Sequence, residues 1–112
     1  MFTPVWTYDE VANNGNTYSG LMCAYGLGIQ IMTSEYGDRF TEDRNIVLAG
    51  HFGEAYGLLA GLFMDRETGD VIYYVMNGMG GPEAENGGVY SSMYRWEEKF
   101  CTALLNNLFP EL

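Results

Sequence analysis

Hydrophobic and polar positions alternate in blocks between Ala49 and Gly78, AGHFGEAYGLLAGLFMDRETGDVIYYVMNG. A short apolar run, Ile46 to Ala49, leads into Gly50-His51-Phe52-Gly53, a small-residue turn region holding the only histidine. Leu58 to Met64 follows with six apolar residues and one glycine, and Val71 to Met76 is β-branched and aromatic before Asn77-Gly78 stops it. Between these two runs lies Asp65-Arg66-Glu67-Thr68-Gly69-Asp70, charged and carrying a glycine suited to positive φ. The pattern predicts an antiparallel hairpin with a preceding strand beside it.

Upstream, Leu21 to Met32 reads as a strand. Leu27, Ile29 and Ile31 fall on one face, and Gly26, Gly28 and Gln30 on the other, where the glycines leave room for a backbone or a ring. Residues 1 to 20 read as irregular, with Pro4, Asn13 to Asn16 and Gly20 as turn-formers and Val5 and Trp6 as anchors onto the core. Thr33 to Asn45 is polar and predicts a solvated loop. Gly78 to Gly88, with five glycines and Pro82, predicts a flexible connector. At the end, Ser91 to Leu108 places Met93, Trp96, Phe100, Leu104 and Leu108 at three- and four-residue steps, as an amphipathic helix does. Ser91 or Ser92 is the expected N-cap, Glu97 and Glu98 sit early, and Pro110 marks the stop. The fold class expected is α+β, one domain over residues 1 to 112: an antiparallel sheet of three to five strands with the C-terminal helix packed on one face.

Composition narrows the functional classes. With 112 residues and 47% hydrophobic content the chain can bury a real core. No apolar run approaches the ~20 residues of a membrane span, and Met1-Phe2-Thr3-Pro4 does not open a secretory signal. Fifteen acids against five bases, Arg39, Arg44, Arg66, Arg95 and Lys99, give a net charge of -10. Such a chain is repelled by phosphate backbones and anionic lipid, so nucleic acid and membrane insertion are not expected. Cys23 and Cys101 are placed either to bridge an early strand to the last helix or to remain reduced and buried, and the second state is expected. One histidine and two distant cysteines do not make a zinc cage, and Glu35, Asp38, Glu42 and Asp43 lack the ligand order of a calcium loop. No metal and no cofactor is expected.

The order of these pieces resembles the C-terminal part of the serine β-lactamase and penicillin-binding-protein-like hydrolases, closest to the class C-like esterase and peptidase branch. The resemblance is carried by Gly50-His51-Phe52-Gly53, then Tyr56-Gly57, an apolar strand, Asp65-Arg66-Glu67-Thr68-Gly69 and a strand ending in Asn77. Tyr25-Gly26-Leu27-Gly28 matches the strand that precedes them in that family, and the final helix falls where the family's last helix packs. It spans about Phe2 to Leu108. It implies that His51 lines a pocket wall, that Gly53 lets substrate lie against the strand edge, and that the backbone N–H of Glu54 is one oxyanion donor. Members of the family often work outside the cytoplasm.

The departures are as informative. The family's Ser-x-x-Lys nucleophile motif is absent: Ser19, Ser34, Ser91 and Ser92 are followed at that spacing by Met22, Gly37, Tyr94 and Arg95. No tyrosine has asparagine two positions on, so Tyr-x-Asn is missing too. The resemblance therefore implies a C-terminal part of a serine acyl hydrolase without catalysis on its own. An alternative is a binding or assembly module that holds a protein or peptide at a sheet edge. A small enzyme built on His51 and nearby acids is the weakest reading. A sheet stripped of its preceding residues would bare apolar surface, so the expected partner is a second copy or a protein supplying the missing part. Of the nine tyrosines, Tyr36, Tyr56 and Tyr90 beside glycine-bearing turns are candidates for exposed contacts.

Overall fold

A computed structural model describes residues 1–79 and 87–112. Six strands form one antiparallel sheet in sequence order: β1 (Trp6–Thr7), β2 (Ala24–Tyr25), β3 (Gln30–Met32), β4 (Leu48–Ala55), β5 (Leu58–Met64) and β6 (Val71–Met76). A single helix among the described residues, α1 (Arg95–Leu108), follows. The α+β class is as expected, but the strand count of six exceeds three to five. The extra strands come from short segments that carry no periodic signal. β1 has two residues inside the stretch read as irregular, and the expected strand Leu21 to Met32 is split in two. Gly28, at φ +74°, turns the chain, and the Gly26 N–H donates to the Ile29 carbonyl, so β2 and β3 form a hairpin with Leu27 exposed at its tip.

β4 runs straight through Gly50-His51-Phe52-Gly53, where a turn region was expected. The reversal comes later, at Tyr56-Gly57, whose φ values of 51° and 81° are both positive, as the favoured two-residue hairpin turn requires. It sets the register from Ala55↔Leu58 to Ala49↔Met64. The hairpin between β5 and β6 is where the sequence puts it, from Met64↔Val71 to Leu59↔Met76. In its loop the Asp65 carboxylate accepts from the N–H groups of Glu67 and Thr68, and Gly69 takes φ +79°.

The period of two gives the sheet unlike faces. On one, Leu48, Phe63, Ile72 and Tyr74 are buried with Met32, Phe40, Met93, Cys101 and Leu105 as the core. On the other, Leu62, Val71, Tyr73 and Val75 are about half or more exposed. Gly61 pairs with Tyr74 on the core face, and a Cβ there would fall on the Tyr74 ring, so the glycine makes space for that ring.

α1 lies over the core face, but not by the stripe expected. Trp96, Phe100 and Leu108 are exposed, whereas Glu97, Glu98, Cys101 and Leu105 are buried. Two carboxylates in the buried row read as polar in sequence and displace the apparent apolar stripe by about one position. Met93 is buried but precedes the helix. The N-cap is Tyr94, with no side-chain cap, rather than Ser91 or Ser92. Those serines are used elsewhere: Glu98 accepts from the N–H groups of Val89, Tyr90 and Ser91 and from the Ser91 hydroxyl, while the Ser92 hydroxyl donates to the Ser19 carbonyl.

Thr33 to Asn45 is not a solvated loop. Ser34, Asp38, Phe40 and Thr41 are buried. The Asp38 carboxylate accepts from the N–H and hydroxyl of Thr33 and the N–H of Tyr36, and Phe40 packs edge-on to Phe63 with centroids 5.0 Å apart. A loop that is polar in composition is thus held by its own acid, with one aromatic plugged into the core. Val5 is exposed and held through its backbone N–H to the Tyr25 carbonyl, and the partly buried Trp6 lies against Gly15 with its indole N–H donating to the Asn14 carbonyl, so neither expected anchor joins the core cluster. Cys23 and Cys101 are free and buried. The expected connector Gly78 to Gly88 falls mostly outside the described residues.

Candidate functional site

His51, Gly53 and Glu54 stand on β4, and the alternation of the strand separates them. His51 and Gly53 share the face away from α1, while the Glu54 side chain is on the helix side. β3 accompanies β4 only from Met32↔Leu48 to Gln30↔Gly50. Past Gly50, β4 has no strand partner on that side among the described residues, so its edge is open from His51 onward.

His51 is exposed, and its Nε2 lies 2.8 Å from the Gly28 carbonyl oxygen. A carbonyl only accepts, so this contact places a proton on Nε2. The tilted Tyr25 ring, 6.5 Å away between centroids, flanks it. The turn that splits β2 from β3 thus orients the imidazole. Gly53 has an open environment, where a Cβ would touch only that of Ala60, at 3.6 Å. Glu54 pairs with Leu59 in the ladder, and its Oε1 accepts from the Tyr94 hydroxyl at 2.7 Å.

On the helix side of the open edge lies a cleft of about 460 Å³, where Phe52, Gly53 and Glu54 face Tyr18, Met93 and Glu97. Glu97 was not singled out by the sequence. It is 4% exposed, and its Oε2 accepts from the Tyr74 hydroxyl at 2.8 Å. Burial pushes its carboxyl up to about 7, the nearby Glu54 charge adds to the rise, and the Tyr74 hydrogen bond opposes it. Burial also raises the Tyr74 hydroxyl well above its ordinary value. The signal for Glu97 was weak: an acid inside an apolar helical spacing looks like the solvent side of the helix.

No serine hydroxyl is hydrogen-bonded to His51 among the described residues. Ser34 donates to the Ile46 carbonyl, Ser91 to Glu98 and Ser92 to the Ser19 carbonyl. Nor is a thiolate at hand, since burial pushes Cys23 up to about 11 and Cys101 up to about 12. Of the tyrosines expected at exposed turns, Tyr56 is fully exposed and Tyr36 and Tyr90 are half-buried. Among the described residues, no three or more His, Cys, Asp or Glu side chains group as a metal site would, and no helix is long and apolar enough to cross a membrane. No protein-family model matches the chain, and comparison with curated proteins and with solved structures finds no match.

Proposed function

We propose that this chain is the C-terminal part of a β-lactamase-like serine acyl hydrolase, furnishing one wall of an acyl-binding pocket and lacking the residue that attacks. The observation that carries the reading is the open edge of β4, with His51 and Gly53 on the face that α1 leaves uncovered. An extended substrate laid on that edge meets main-chain donors and acceptors with no side chain at Gly53 in the way. His51, held through Nε2, directs its ring along the same face. In this reading the part bearing the nucleophile docks against that face, and His51 is a pocket-wall residue rather than the attacking group.

The reading is tested by labelling with a fluorescent penicillin and a fluorophosphonate. The purified chain alone remains unlabelled. In lysate from its native host, a labelled protein is retained by the tagged chain and lost with His51→Ala plus Gly53→Val. Covalent label on the chain by itself would overturn the proposal, as would a pull-down lacking any labelled partner.

A further inference from the structure

The other margin of the sheet is two strands, roughly 10 Å, from β4. There β6 pairs only with β5, leaving its outer edge without a strand partner among the described residues. An unpaired edge is usually guarded by lysine, proline or a bulge. Val71-Ile72-Tyr73-Tyr74-Val75-Met76 has no charge and no proline. The described chain also leaves in another direction: Met79 donates its N–H to Gly57, in the β4–β5 turn, and Gly87 bridges to Tyr94.

Apolar surface flanks this edge on both sides of the sheet. Val71, Tyr73 and Val75 stand exposed on the helix-free face. On the helix side is a groove of about 280 Å³ formed by Met76, Met79, Trp96, Lys99 and Phe100. Pairing at this edge covers the outward flanks of Val71, Tyr73 and Val75, all exposed, and brings a neighbour alongside the exposed Trp96 and Phe100.

The sequence of β6 also fits itself. Paired residues of antiparallel strands face the same way. A twofold axis through Tyr73 sets Val71 against Val75 of a second copy, Ile72 against Tyr74, and Tyr73 against Tyr73. It also brings Asp70 opposite Met76, at the end of the groove that holds Lys99, the only lysine in the chain. Both apolar faces continue across the junction, and opposite charges meet at its ends.

We infer that two copies of this chain associate by antiparallel pairing of their β6 strands, joining two six-stranded sheets into one of twelve. The inference is independent of the hydrolase reading, which concerns β4. Edge pairing is also the mode that the binding-module alternative invokes, here with a second copy as the occupant.

Light scattering at rising concentration gives a mass tending to twice the 12.5 kDa of the chain. Tyr73→Lys sets two like charges against each other on the axis and weakens dimerisation at least 100-fold. Tyr73 is exposed, so the circular dichroism spectrum is unchanged. Tyr73→Cys oxidises to a linked dimer, because facing α-carbons on the axis fall within disulfide reach. Leu62→Cys, one strand inward, does not link. A monomer at every concentration would overturn the inference. So would a dimer indifferent to Tyr73→Lys, or cross-linking through Leu62→Cys in place of Tyr73→Cys, which would mean face-to-face stacking.

Discussion

The hydroxyl of Tyr74 donates to Oε2 of Glu97 across 2.8 Å, tying the middle of β6 to the first turn of α1 inside the core. Tyr74 reaches that far because Gly61 lies beneath its ring, and Glu97 is buried because the helix turns that side inward. The contact thus depends on a glycine, a tyrosine and an acid from three different elements.

Stability should depend on pH through Glu97. The folded chain keeps its proton to about pH 7, against an ordinary value of 4.5. Below pH 4.5 both states are protonated and nothing is lost. From there to pH 7 the unfolded state ionises first, so stability falls as pH rises, by up to about 3 kcal/mol, and the loss stays constant above. Glu97→Gln keeps an acceptor for Tyr74 without a charge. Urea unfolding at pH 5.5 and pH 8 should show the variant gaining on the native chain at the higher pH. An equal difference at both values would contradict this.

Gly61→Ala is expected to cost about 3 kcal/mol, because its methyl displaces the Tyr74 ring and with it the hydroxyl from Glu97. Gly53→Ala is the matched control, meeting only the Ala60 methyl, and should change the melting temperature little. Thermal unfolding of the two variants side by side makes the comparison.

How much of this was legible in the sequence differs from element to element. The β5–β6 hairpin was legible because two long apolar runs flank a charged turn with glycine at positive φ. The end of β4 was not, since Gly50, His51 and Gly53 look like a turn while they serve as strand residues beside Phe63 and Ala60. β1 and β2 are too short to show any period. The stripe on α1 was misread because Trp96 and Phe100 are exposed while Glu97 and Glu98 are buried. Sequence cannot show that an acid has its donors waiting in another segment. Within the candidate site, the pattern put His51 and Gly53 in a turn, and that they share one strand with Glu54, their side chains divided between two faces, followed only from learning that the strand continues.

Glu98 holds the segment before α1. Its carboxylate takes three backbone N–H groups and the Ser91 hydroxyl while the residue is 2% exposed. Glu98→Ala should cost about 3 kcal/mol or more, because the donors lose a charged acceptor together. Glu98→Gln, retaining one oxygen, should cost less. Amide hydrogen exchange at residues 89–91 should speed up in both, more in the alanine variant.

Arg44 performs the corresponding task at the other end of the helix. Its guanidinium donates to the carbonyls of Phe109, Pro110 and Leu112 and to the Asn106 side chain. Arg44→Met should free the last four residues, at about 1–2 kcal/mol. Amide hydrogen exchange at Phe109 and Leu112 should then speed up relative to the native chain, with the core melting only a few degrees lower.

The two-residue turn at Tyr56-Gly57 leaves no slack between β4 and β5. A slip of one residue in their pairing would move every side chain of the later strand to the opposite surface, driving Leu62 inward and ejecting Phe63 into water. A bend at the surface, with Tyr56 fully in water, thus helps to keep the molecule's inside and outside distinct.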